Sequence, residues 1–133
     1  MTFLYRIVAI IYRNYDERGV GIPHFRTVIT VVFILFIHAV HIGLLFELPS
    51  NFIMPWDSSL NKPIQWFWGI LYFGAIIIII SIVFSKSKLD KIVLSQKQME
   101  RGRTILPIYL ALSIGLTAFL LIKSGIEKGE IIF

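Results

Sequence analysis

Residues 64–84 read IQWFWGILYFGAIIIIISIVF, 21 positions without a single Asp, Glu, Lys or Arg. About 20 apolar residues in a helix cross the hydrocarbon core of a bilayer. The β-branched block 76–80 would favour a strand in water. In lipid no water is present to satisfy a free backbone N–H or C=O, so a lone spanning segment must be helical. Two further runs share this character: residues 27–46, TVITVVFILFIHAVHIGLLF, and residues 104–122, TILPIYLALSIGLTAFLLI. The whole chain has 133 residues, of which 56% are hydrophobic and 16% charged. A soluble domain is about 45–50% apolar and about 25% charged, and a globule of this length has too little interior to hide the excess. A soluble enzyme and a disordered tail are both excluded. The absence of cysteine removes disulfides, thiolate nucleophiles and cysteine metal cages.

Lysine and arginine give the direction of insertion. Residues 1–26 carry Arg6, Arg13, Arg18 and Arg26, and residues 85–103 carry Lys86, Lys88, Lys91, Lys97, Arg101 and Arg103. Against these ten stand Lys62 in residues 47–63 and Lys123 and Lys128 in the tail 123–133. The pattern predicts a plasma (inner) membrane protein with its N-terminus and second connection in the cytoplasm, and its first connection and C-terminus outside. Trp56, Trp66 and Trp68 gather at the outer end of the second span, where interfacial aromatics are expected. The apolar patch Ile7–Tyr12 is too short for a cleavable signal, so the first span is expected to direct its own insertion. Thr2 and the lack of cysteine speak against lipidation.

The segments between the spans add detail. Residues 2–15 place Phe3, Leu4, Ile7, Ile11 and Tyr15 at helical spacing, with Arg6 and Arg13 seven apart on one face. This predicts an amphipathic helix lying in the headgroup plane, with docking against the bundle as its alternative. Three prolines (Pro49, Pro55, Pro63) rule out a long helix in the first connection. Leu89, Ile92, Val93 and Gln96 continue a helical spacing, so the second span is expected to project into the cytoplasm. Gly102 then reads as a break, Thr104 as the N-cap of the third span and Pro107 as a first-turn residue. Arg6, Arg13, Lys86, Lys88, Lys91 and Lys97 would meet anionic headgroups. Since the insertion bias accounts for these charges, no nucleic-acid partner is expected.

His38 and His41 are the only side chains within a span that ionise near neutral pH, and intramembrane ionisable groups point to function by default. They sit three apart on one helical face. A metal would need further ligands, but residues 64–84 and 104–122 hold no His, Cys, Asp or Glu. A haem held by two histidines would need a second subunit. Neutral rings bonded across helices to Ser113 or Thr117 are the expected state, with a proton-linked role as an alternative. Small residues mark positions of close helix approach: Ala39 and Gly43 on the first span, Gly74 and Ser81 on the second, and Ala111, Gly115 and Ala118 on the third. Leu120 is expected to face lipid.

No esterase, zinc-protease, P-loop or dinucleotide motif occurs. In topology alone, three spans behind an amphipathic helix resemble the bacterial diacylglycerol kinases. That family handles Mg-ATP with membrane-surface carboxylates and an asparagine. Here the spans lack carboxylates, and Asp90 and Glu100 stand among lysines, so no activity is carried over.

The sequence thus predicts an all-α integral membrane protein forming a single membrane domain. It has an N-terminal interfacial helix and three transmembrane helices, the second extended into the cytoplasm. The expected role is non-enzymatic and without cofactor: a subunit or accessory component packing against a homo-oligomeric copy or a larger membrane partner in the lipid bilayer. Alternatives are a membrane-acting defence or immunity protein, and a histidine-dependent proton, metal or haem protein.

Overall fold

A computed structural model describes residues 3–19, 21–48 and 60–127. Its helices are α1 (Phe3–Glu17), α2 (Pro23–Leu45), α3 (Lys62–Val83), α4 (Lys86–Asp90) and α5 (Gln96–Glu127). No strand occurs among the described residues. Three helices are long and apolar enough to cross a membrane, making this an all-α, multi-pass membrane protein. Trp56, Pro49 and Pro55 in the first connection, and Lys128 in the tail, lie outside the described residues.

The spans alternate in direction. His24 and Phe36 of α2 meet Phe84 and Phe73 respectively, so α2 and α3 are antiparallel. His38 and His41 of α2 meet Tyr109 and Ser113 of α5, so those two run parallel. The central helix, α2, packs against both α3 and α5. The start of α2, the end of α3 and the start of α5 come together at one end, where α1 and α4 also lie.

That end holds the core. Val8, Ala9, Ile11, Tyr12, Val31, Phe84, Leu89 and Ile92 form one buried cluster. The spans contribute far less, since α3 buries no residue at all and α5 buries only Met99, Ser113, Leu120 and Gly125. The chain exposes 9499 Å², whereas a compact soluble protein of 15.3 kDa would expose about 7,100 Å². Exposed apolar side chains on α2, α3 and α5, left for lipid or for other helices, contribute to this excess.

Several expectations are corrected here. Rather than resting its apolar side on the membrane alone, α1 docks on the bundle, against α2, α4 and α5. Its covered face is Val8, Ala9, Ile11 and Tyr12, while Phe3 and Leu4 are exposed. Gly19, in the left-handed region with φ 63°, ends the helix, and its N–H reaches the Asp16 carbonyl at 3.1 Å. The second span does not project as one continuous helix. It stops at Val83, because Phe84 turns into the core at 3% exposure and side chains take the freed carbonyls. Helix resumes as the short α4, in which Leu89 is fully buried.

The start of the last helix also differs from expectation. Ser95 and Gln98 form a reciprocal capping box: Gln98 N–H donates to Ser95 Oγ at 3.3 Å, and Ser95 N–H to Gln98 Oε1 at 2.9 Å. Helix α5 therefore begins eight residues before Thr104, whose hydroxyl bonds back to the Glu100 carbonyl. Pro107 lies in its interior, leaving the Arg103 carbonyl without its usual donor. Instead of breaking the helix, Gly102 is where α5 meets α1. A Cβ there would collide with the Ile10 side chain.

Candidate functional site

The polar groups inside the spans lie along the α2–α5 seam. His38 Nδ1 is 2.8 Å from the carbonyl of Ile34, one turn earlier. A carbonyl only accepts, so in the neutral ring Nδ1 carries the hydrogen and Nε2 is the acceptor. The Tyr109 hydroxyl, 2.8 Å away, then donates to Nε2. The rings of His38 and Tyr109 also stack, with centroids 5.9 Å apart and an interplanar angle of 27°.

His41 has the opposite tautomer. Its Nε2 is 3.1 Å from the Ser113 carbonyl and 2.8 Å from Thr117 Oγ1. The Thr117 hydroxyl donates to the same Ser113 carbonyl at 2.9 Å. The His41 N–H is thus shared between that carbonyl and the threonine oxygen. Both partners named from the sequence are present, although Ser113 serves through its backbone. Tyr109, Ser113 and Thr117 are spaced by four along α5, which puts them on one face toward α2.

This arrangement orients two polar rings and sets the register of α2 against α5. Between the two histidines the ring centroids are 5.8 Å apart, with no hydrogen bond joining them. Three of the four ring nitrogens face protein donors or acceptors. A metal bound here would have to displace these bonds, and no group of three or more potential ligands gathers among the described residues.

The remaining predicted positions divide. Gly43 is buried in α2, and Ala39 is half-buried. On α3, Gly74 and Ser81 are half-buried, and the space where a Cβ on Gly74 would point is open. Ala111, Gly115 and Ala118 are exposed; Ala111 and Gly115 lie on the side of α5 turned away from the Tyr109–Ser113–Thr117 row, and Ala118 borders an open groove between α2 and α5, so the three do not close the bundle. Leu120, expected to face lipid, is buried instead. Trp66 and Trp68 are exposed on the first two turns of α3, at the end far from α1.

A second polar network, which the sequence reading missed, ties the α1 end. Tyr5 and Lys88 donate to the Val83 carbonyl at 3.0 and 3.2 Å, and His24 Nε2–H to the Phe84 carbonyl at 2.8 Å. These cap the C-terminus of α3. Tyr12 donates to Asp90 Oδ1 and Arg13 to the Asp90 carbonyl. Tyr15 bonds Thr30, and Glu17 pairs with Arg103. Burial, with the neighbouring Asp90 carboxylate, pushes the Tyr12 hydroxyl up to about 12. The usable signal was the tyrosine spacing 5, 12 and 15, which follows a helical face. Of the six cations expected at headgroups, Arg13 and Lys88 thus bond to backbone carbonyls; Arg6, Lys86, Lys91 and Lys97 are exposed.

Comparisons with known protein families, curated proteins and solved structures give no match, so the functional reading rests on the residues of this chain.

Proposed function

We propose that this chain is a non-enzymatic subunit or accessory component of the plasma (inner) membrane, acting through helix packing with copies of itself or with a larger membrane partner. The observation that carries this is α3, a 22-residue helix with no buried residue, beside a fully closed core at the α1 end. Helices associate in lipid through close packing and a few hydrogen bonds. Exposed Gly115, with nothing within 4 Å of where its Cβ would be, offers the backbone for such an approach. The ten-to-three division of basic residues supports a cytoplasmic α1 end. Arg6, Lys86, Lys91 and Lys97 then sit on the side of the anionic leaflet.

The test is site-directed photo-crosslinking in native membranes, with a benzophenone residue placed in turn at Gly74, Ile79 and Gly115. A discrete adduct, either a dimer of the chain or one larger species, is the expected result. Adducts to lipid alone at all three positions would overturn the subunit reading.

A further inference from the structure

Beside the polar seam, α2 and α5 leave an apolar groove of about 320 Å³. Phe33, Phe36, Ile37 and Val40 of α2 line it, with Ile114 and Ala118 among its α5 residues. The histidines are not part of its lining. Arg26, Phe33 and Val40 are spaced by seven, so they share one face of α2. Arg26 stands just outside the uncharged run, about 10 Å of helix from Phe33. It is exposed, and no hydrogen bond or ion pair of its side chain occurs among the described residues. The matching cation on α5 is Arg103, three turns before Ile114 on the same face, but Glu17 already pairs with it. Among the described residues the groove therefore has one free cation on its own face, at headgroup depth, and an apolar channel beginning about two turns deeper.

We propose that this groove holds one acyl chain of an anionic phospholipid, whose phosphate is bound by Arg26. Charge and depth both select this occupant. Half the hydrocarbon core is about 15 Å, so a chain hanging from a phosphate at Arg26 reaches past Phe33 and into the groove. A zwitterionic lipid would fill the same channel without gaining from the unpaired guanidinium. The proposal needs only a single chain with its three spans. It therefore stands or falls separately from the subunit reading.

The test uses the full chain in nanodiscs of equal phosphatidylglycerol and phosphatidylcholine, ejected into a mass spectrometer so that retained lipids are identified. Wild type is expected to retain one phosphatidylglycerol in about fivefold preference, the factor for one basic residue near a phosphate. Arg26→Gln should bring the preference close to parity while a lipid is still retained. Ala118→Phe, which fills the groove, should lose retention of both lipids, and Leu121→Trp serves where that variant does not fold. Arg101→Gln, an exposed cation on the side of α5 away from the groove, should behave as wild type. Equal loss of preference in Arg101→Gln and Arg26→Gln would reduce the effect to a diffuse basic surface and overturn the site. So would unchanged lipid retention in the folded groove-filling variant, or a wild-type dimer that this variant splits, which would make a second copy the occupant.

Discussion

The two ends of α2 live in different environments. Its first half is wrapped by α1, with Thr27 and Val28 at 0% and 2% exposure. Its second half makes a polar seam with α5 and an aromatic contact with α3, Phe36 with Phe73 at 5.7 Å, and buries only Ile37, His41 and Gly43. The difference follows from solvent. At an end that stands in water apolar side chains are driven together, and the buried cluster there draws on α1, α2, α4 and the turns that carry Phe84 and Ile92. Within the spans lipid is as apolar as the side chains, and only packing and hydrogen bonds draw helices together. The chain closes a core at the α1 end and leaves apolar faces of its spans open.

The contrast is most exposed to large-to-small changes. Leu89→Ala removes a fully buried side chain at the α1 end and should cost about 2–5 kcal/mol. Leu112→Ala, at a position 69% exposed on α5, should stay within about 0.5 kcal/mol for the isolated chain. Denaturant unfolding in micelles compares the two. Equal losses would mean that the spans are as tightly packed as the core.

Overfilling sharpens the same comparison. Gly102→Leu forces a side chain into Ile10 and should cost about 1–3 kcal/mol. Gly115→Leu enters open space and should leave the thermal stability of the isolated chain unchanged, with any effect confined to assembly. A destabilised monomer carrying Gly115→Leu would show that α5 packs on that face within the chain.

Next in size is the seam. Interhelical hydrogen bonds in membranes are worth about 0.6 kcal/mol on average and reach about 1.7 kcal/mol. His41→Leu should lose an amount in this range and increase crosslinking variability between α2 and α5. His38→Leu should lose less, since its Nδ1 bond is to its own helix. A loss above 3 kcal/mol for either would place the histidines in a role that packing does not describe.

The smallest effect at neutral pH concerns Tyr12. Its hydroxyl ionises at about 12 in the fold, against about 10 in an unfolded chain. Because the folded value is raised, the contribution is complete below pH 10 and is lost as pH rises through 10 toward 12. Limited proteolysis of α1 should therefore accelerate in that window, and Tyr12→Phe should flatten the profile. An unchanged profile in Tyr12→Phe would assign the alkaline loss to another group.

The three spans were legible because an uncharged run of 19 to 21 residues has one stable outcome in a bilayer. The His41 partners were legible because few polar groups exist in the spans to choose from. The docking of α1 was not: spacing reveals an apolar face but not whether lipid or protein covers it, and Val8, Ala9 and Tyr12 were not on the face first drawn. The start of α5 was written in Ser95 and Gln98, yet the chance helical spacing of Leu89, Ile92, Val93 and Gln96 suggested a single projecting helix. In the fold, Val93 is 94% exposed and Ile92 buried. Gly102 carries the same ambiguity, since a glycine at a close contact and a glycine at a break look identical in sequence. Leu120 and Gly115 exchanged environments because an all-apolar span gives no periodic signal for its inner face.

The central claim is that the packed, basic α1 end and the opposite end of the spans lie on different sides of the membrane, with α1 in the cytoplasm. Single cysteines at Asn61 and Ser95, both exposed and placed on either side of α3, test it directly with a membrane-impermeant maleimide on intact cells. The account expects Asn61→Cys to label at once and Ser95→Cys only after the membrane is opened. The reverse pattern would contradict the orientation, and equal labelling of both in intact cells would contradict the crossing of α3 itself.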